Sequence, residues 1–371
     1  MTGAELFART IDHHLAPIRP YLADSTVTEV MINAPDEIYI EKNGQLTKTA
    51  AAFSDPEAYD AAVNNILQFT GKSLGSDETL VDARLPDGSR VHVAKAPCAR
   101  RGTVMSIRTF SRMMLDVDWL IELGTLTPAA RDYLQLAVAA EQNLLVAGGT
   151  SSGKTSLLNA LSAYIPEHER LVVIEDSAEL QLQREHVVSL ESKPADAFGR
   201  GAIGVREFFR SSLRLRPDRI IIGEVRGGEA LDMIQAMTSG HGGSMGTLHA
   251  NTPADALSRL ETMALMSEVE LPLTALRSQI ASAIDVIVQT SRQIGGRRLV
   301  TDISEVGPPG ADGRAQLRPV FALGAAEGAD DATQRLQMLD ATSGFAKQLD
   351  PDRKALITPA IAPLFDCGHV S

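Results

Sequence analysis

Two rhythms of apolar and polar positions divide this chain. In the first third they alternate. VTEVMINAP and EIYIEKNGQL place apolar residues at every second position around Ala34, Pro35 and Asp36, with Asn43-Gly44 as a turn. That pattern predicts half-buried strands. DAAVNNILQFTGK instead spaces its apolar residues as a helix does. DARLPDGSRVHVAKAP reads as a hairpin turning at Asp87-Gly88, and GTVMSIRTF as a further strand. Residues 1–115 are expected to form a small α+β domain.

From Asn143 the rhythm changes. NLLVAG, RLVVIED, HVVSLE, DRIIIGE and GSMGTLHA are short, nearly continuous apolar runs separated by helical stretches. Strands covered by helices on both faces read this way, so an α/β domain with a parallel sheet is predicted. Residues 116–127 read as a linker and 128–371 as the α/β domain with a C-terminal tail, opening on a helix from about Pro128 to Glu141. Further strands are expected near Asp285–Gln289 and Arg298–Val306. VGPPGADGRAQ reads as a Gly/Pro-rich loop or linker. The tail from Leu317 reads as a strand-like stretch, an acidic Gly/Ala loop and a short helical end interrupted by proline.

Composition narrows the classes of function. A chain of 371 residues, 44% hydrophobic and 22% charged, has material for sizeable cores. The formal net charge of -12 disfavours a general binder of nucleic acid or anionic membrane. Aromatic residues are 4% of the chain and Trp119 is the only tryptophan, so stacking platforms for bases are not expected, nor is a nucleic-acid partner. Cys98 and Cys367 lie far apart in sequence, which fits a reducing compartment. No apolar run approaches the roughly 18 to 20 residues of a membrane span. The N-terminus lacks a signal-peptide core. The expectation is a cytoplasmic protein that reaches any membrane through partners.

The chemistry concentrates after Asn143. Gly148, Gly149, Thr150, Ser151, Ser152, Gly153, Lys154 and Thr155 satisfy the pattern G-x-x-x-x-G-K-[ST], and Ser156 continues into the helical run. A strand precedes the pattern and a helix follows it. Glycines let backbone amides face a phosphate without a Cβ in the way, and the helix N-terminus adds its dipole. Lys154 would reach the β- and γ-phosphates of ATP, and the Thr155 hydroxyl would ligate Mg2+. The competing reading is a chance match in a Gly-rich turn.

Further acids end the later strands. DRIIIGEVRG closes on Gly223-Glu224, where Glu224 would orient or deprotonate an attacking water; an ordinary exposed acid is the alternative. LVVIEDSAEL offers Glu175, Asp176 and Glu179 for contacts to magnesium or water. For Asp176 and Glu179, acids stabilising a helix N-terminus compete with that role. His249 ends a strand beside Asn251 and is favoured to contact phosphate, while His241 stays open between a structural and a functional role. Their spacing is not that of a helical zinc pair. His13 and His14 carry no signal. Transferring a phosphoryl group needs cations, and Arg90, Arg108, Arg214, Arg216 and Arg226 are candidates among which chemistry does not choose.

The run GGTSSGKT, IEDSAELQL, LRLRPDRIIIGEVRGGEALDMIQAM and TSGHGGSMGTLHANTPADALSRLE resembles the secretion ATPases of type II and type IV secretion systems and pili. Four motifs of those families match in order: Walker A, the Asp box, a Walker B-like strand and the His box. STVTEVMINAPDEIYIEKNGQL, DARLPDGSRVHV, AIDVIVQTSRQIGGRRLVTDISEV and the closing APLF look most like the CpaF-type ATPase of tight-adherence (Tad) pili. Ser152 stands where the family often has glycine, and Thr238-Ser239 replaces a commoner Asn-Thr.

The resemblance implies a RecA-like P-loop domain behind a smaller α+β domain, with ATP and Mg2+ as cofactors. It assigns Glu224 as catalytic glutamate, Glu175 as Asp-box acid and His249 as His-box residue, and places Arg90 and Arg108 where first-domain arginines reach the nucleotide. It implies a homo-hexamer that is peripheral at the inner membrane through a pilus platform protein and powers pilus assembly, with retraction as a further role left open. A type IV secretion or conjugation traffic ATPase is the alternative. A RecA-type nucleic-acid motor, and a module that holds ATP without turning it over, are readings from other classes.

Overall fold

The computed structural model describes residues 10–42, 44–70, 79–110, 116–193, 195, 200–311, 313–325, 334–339 and 341–365. The chain divides into two compact units. The first comprises Met1–Met114 with Ile294–Gly296, the second Leu115–Gln293 with Arg297–Ser371.

The first unit is one antiparallel sheet with helical segments packed on it, the N-terminal ones through Ile11, Leu15 and Ile18. Its strands are β1 (Val27–Ala34), β2 (Glu37–Lys42), β3 (Gln45–Lys48), β4 (Leu80–Arg84), β5 (Arg90–Ala94) and β6 (Val104–Arg108), in the order β3-β2-β1-β6-β5-β4. Alternation decides which face is buried. Val30, Ile32, Val91, Val93, Met105 and Ile107 point into the core. There they meet Tyr59, Ala62, Val63, Ile66 and Leu67 of helix α1 (Pro56–Phe69). Asp55 caps that helix by accepting from the Ala58 amide at 2.7 Å, which starts it ahead of the expected run.

The second unit carries a nine-stranded sheet in the order β15-β14-β13-β12-β7-β11-β10-β8-β9. β7 (Leu144–Gly148), β8 (Leu171–Glu175), β9 (Val187–Glu191), β10 (Arg219–Val225), β11 (Met245–His249) and β12 (Val286–Arg292) run parallel. β13 (Arg298–Pro309), β14 (Ala315–Ala325) and β15 (Gln334–Met338) continue it antiparallel. Both faces of the parallel part are covered, which explains the unbroken apolar runs. On one face Leu144, Val146, Leu171 and Val173 pack on helices α2 (Val117–Glu122), α3 (Pro128–Ala139) and α4 (Lys154–Ser162). On the other, Leu145, Ala147, Val172, Ile220 and Ile222 pack on α5 (Val205–Ser212), α6 (Glu229–Met237), α7 (Pro253–Leu265) and α8 (Leu273–Ala283).

Three expectations need correction. The segment 116–127 is no free linker: it holds α2, and Val117, Leu120 and Leu126 are buried in the second unit's core. VGPPGADGRAQ lies within the β13–β14 hairpin, where the register shifts between Gly307 and Pro309. Proline lacks the amide a ladder needs, and a bulge tolerates that. No helix begins after Glu175; residues 178–184 are irregular, so Asp176 and Glu179 stabilise no helix N-terminus there. The acidic Gly/Ala loop and Cys367 lie outside the described residues.

At the entry to β10 a buried ion pair ties strands to helices. Arg219 is 1% exposed; it pairs with Glu169 and donates to the Val138 carbonyl at 2.7 Å. Gly243 (φ 73°) leaves the guanidinium room, since a Cβ there would sit 2.6 Å from Arg219 Nη1. Arg219→Met strands the Glu169 carboxylate, and is expected to destabilise the second unit by about 3–5 kcal/mol. Trp119 packs against that unit's core and is the only tryptophan, so its fluorescence during urea unfolding reads this unit alone. An unchanged midpoint would refute the assignment.

Candidate functional site

The C-terminal ends of the parallel strands collect the polar residues that the motifs single out, as open α/β sheets do. Gly148 ends β7 and stands in register with His249 on β11 and Thr290 on β12. From Gly148 the chain turns through a loop into α4. Ser151 (φ 55°) and Gly153 (φ 96°) take left-handed conformations that turn the backbone into the helix. At Gly148 there is no space for a side chain. A Cβ would overlap Thr290 Oγ1 and Ser152 Oγ and lie 2.7 Å from the Thr290 carbonyl.

Ser152 is tied down rather than loose. Its hydroxyl donates to the Gly149 carbonyl at 2.9 Å and meets Thr290 Oγ1 at 2.8 Å, while Thr290 Oγ1 donates to the Ala147 carbonyl at 3.1 Å. Arg298 Nε donates to the Ser151 carbonyl at 3.1 Å. Lys154 folds back over the loop, with Nζ 3.0 Å from the Gly148 and 2.9 Å from the Gly149 carbonyl. A phosphate would offer that ammonium charged oxygens in place of neutral ones. Thr150, Thr155 and Ser156 flank it, Thr155 and Ser156 half-buried on the first turn of α4.

Glu175 ends β8 and is 4% exposed. Burial pushes its carboxyl up to about 7, against the opposing effect of bonds from the Glu179 amide (2.9 Å) and Leu180 amide (3.0 Å). Its neighbour on β10 is Gly223, where a Cβ would lie 2.8 Å from Glu175 Cγ. Glycine before Glu224 therefore has a steric cause. The register of β10 against β11 slips between Ile222 and Val225, and this bulge spans Gly223 and Glu224. Glu224 is held by Arg226 (Nη2 at 2.5 Å, Nε at 2.8 Å), and Arg226 also reaches Asp176 at 3.4 Å. Asp176 in turn accepts from Ser192 Oγ at 2.8 Å.

The strands bring Gly148, Glu175, Glu224 and His249 to one end of the sheet. His241, Arg214 and Arg216 they do not. His241 precedes β11 and Arg214 and Arg216 precede β10, all at the strand starts. His241 Nδ1 is buried there without a partner among the described residues. Thr290 and Arg298 were not singled out by the sequence; both hold the loop from strands far along the chain, and no local spacing announces them. In the first unit Arg90 and Arg108 face each other across β5 and β6. Arg84 extends the row on β4 and Glu29 closes it on β1.

Among the described residues no group of three or more His, Cys, Asp or Glu is arranged to hold a metal ion by itself. A Mg2+ fits this donor set only as magnesium usually binds, through one or two protein oxygens and the phosphates of a nucleotide. Also among the described residues, no helix is long and apolar enough to cross a membrane.

Comparison with known proteins bears on the family and the fold. The type IV secretion system protein PtlH of Bordetella pertussis is 34% identical over 79% of this chain and 94% of its own length. The conjugal transfer protein TrbB of Rhizobium radiobacter is 32% identical over 75% of this chain and 83% of its own. The ATPase DotB of Legionella pneumophila shares the fold, with a TM-score of 0.54 and 18% identity over 80% of this chain and 81% of that one. The RecA-like α/β domain behind a smaller N-terminal domain is thereby established. Residues 12–303 match the family described as Type II/IV secretion system protein, and the chain belongs to that family.

Proposed function

We propose that this chain is the ATP-hydrolysing motor of a type IV secretion or conjugation machine, working as a homo-hexamer at the inner membrane through partner proteins. The observation that carries the hydrolytic reading is the joint placement of a phosphate-type loop, Glu175 and Glu224 at one end of one sheet. The names of PtlH and TrbB support traffic through a channel ahead of the Tad pilus motor expected from sequence. No relative reported above is a CpaF-type protein, so the pilus platform partner is not carried forward.

In this reading the loop amides and the N-terminus of α4 take up the phosphates of ATP, and Lys154 trades its two carbonyls for phosphate oxygens. Bound Mg2+ would supply charge neutralisation, with Thr155 as its protein ligand. Glu224 leaves Arg226 and orients the attacking water, accepting its proton as the water oxygen bonds to the γ-phosphorus and the bond to the β,γ-bridging oxygen breaks, so that ADP and inorganic phosphate leave. Glu175, in its carboxylate form, and His249 border the same space. Arg90 and Arg108 are kept as candidate phosphate cations.

Lys154→Ala is expected to abolish binding of a fluorescent ATP analogue while leaving the circular dichroism spectrum unchanged. Glu224→Gln is expected to bind the analogue normally and hydrolyse ATP at least about 100-fold more slowly. Normal turnover by the first variant would sink the loop assignment. Normal turnover by the second would move the base elsewhere.

Since Glu175 titrates near about 7, turnover by the native protein is expected to rise as the pH goes from about 6 to about 8. Glu175→Gln loses that rise. Stability runs the other way: the raised carboxyl makes the native fold lose stability as pH climbs from the ordinary 4.5 through about 7, and the glutamine variant lacks the slope. Identical pH profiles for the two proteins would exclude Glu175.

In the native host, deletion of the gene is expected to stop transfer of DNA or secreted protein. Intact transfer combined with loss of surface pili would restore the pilus reading.

A further inference from the structure

Two exposed surfaces of the second unit have no role in the site described above, and their chemistry is complementary. The first joins α7 to α8. Leu265, Met266, Val269 and Leu273 are 51%, 64%, 44% and 41% exposed, an unusual density of apolar side chains in water. Leu265 and Val269 line an open cleft of about 760 Å³ together with Glu268 and Glu270. From residue 262 to 276 the chain has these two acids and no lysine or arginine.

The second surface runs along α5 and just past it. Residues 200–216 carry Arg200, Arg206, Arg210, Arg214 and Arg216 against the single acid Glu207, a local excess of cations on a chain whose net charge is -12. Arg206 and Arg210 pair with Asp232 of α6. Arg214 and Arg216 are exposed, and Leu213 between them and the helix is 42% exposed. This strip is also apolar and charged, with the opposite sign.

The two surfaces occupy opposite flanks of one helical layer. α6 packs on α5 along one side and on α7 and α8 along the other. α5 lies over β8, while α8 lies over β13 and β14, towards the opposite edge of the same sheet face. A molecule with complementary surfaces on opposite flanks associates head to tail, and such heterologous contacts close into rings when the rotation permits.

We infer that the acidic apolar loop 265–273 of one copy docks on the basic strip Arg210–Arg216 of the next, and that this contact closes the ring. The inference rests on the ring reading above and names its mating surfaces. The loop is also connected to the hydrolytic end. Met266 and Ser267 pack so closely on Gly228 that a Cβ there would lie 3.2 Å from Ser267 Cα. The preceding turn is held by Glu229, which accepts from the Arg226 amide at 2.7 Å and the Gly227 amide at 2.8 Å. Arg226 in turn holds Glu224. A neighbour seated on the loop thus presses on the segment that positions Glu224.

The test uses charge reversal in the full chain, with sedimentation velocity in the presence of a non-hydrolysable ATP analogue. The variants are Glu268→Lys with Glu270→Lys, and Arg214→Glu with Arg216→Glu. Each alone sets like charges against like, and is expected to raise the concentration for half-assembly at least about tenfold. An equimolar mixture of the two has every loop facing a strip of opposite sign, and is expected to assemble as the native protein does. Recovery on mixing also shows that both variants are folded; Trp119 fluorescence melts check this independently. Either variant assembling normally, or a mixture that stays as small as its parts, overturns the pairing. A strip variant that assembles normally but no longer binds vesicles of anionic lipid overturns it too and makes the strip a membrane surface. A native chain that stays monomeric at every concentration removes the ring itself, whereas native rings with unaffected variants remove only this contact.

Discussion

Gly148 stands where β7 ends beside His249 and Thr290, and the loop must turn there without a side chain in the way. Thr290 Oγ1 and Ser152 Oγ already fill the space that a methyl would need. Their contact fastens the loop to β12, so the loop amides inherit the rigidity of the sheet. The left-handed turns at Ser151 and Gly153 follow from that attachment. The orientation of α4 and the reach of Lys154 follow in turn. Ser152 is an apparent departure from the family's glycine, yet it is the residue that anchors the loop.

Electrostatics at the strand ends follow a common rule: each charged group already has a partner inside the protein. Lys154 sits on carbonyls of its own loop, and Glu224 sits on Arg226. Glu175 is buried and leans towards its neutral form. Ligand binding is therefore an exchange of partners, not the filling of a bare charged cleft. Such exchanges cost less than desolvating free charges, because Glu175 has left water on folding and Lys154 and Glu224 have partly done so.

How much of this the sequence disclosed depended on how local the cause was. Parallel strands were legible because burial on both faces removes polar residues from them. The phosphate-type loop was legible because glycine, lysine and a hydroxyl must occur at fixed offsets. The helix Val117–Glu122 was missed because it is short and Asp116, Asp118 and Glu122 obscure its apolar face. Thr290 and Arg298 were invisible because their partners lie 138 and 147 residues away. The arginine row had the same obstacle: Arg90 and Arg108 were visible singly, but only strand register sets Arg84 beside them. His241 shows the reverse, a residue type suited to phosphate chemistry placed at the wrong end of its strand.

Gly223 and Glu175 share one volume, with the acid's methylene filling what a side chain on β10 would occupy. The two positions are therefore not independent coordinates for anyone redesigning or recombining this domain. An acid can be moved from β8 to β10 only by trimming position 175 in the same step. A segment containing β10 taken from a protein with a bulkier residue at that point would collide unless its own β8 travelled with it.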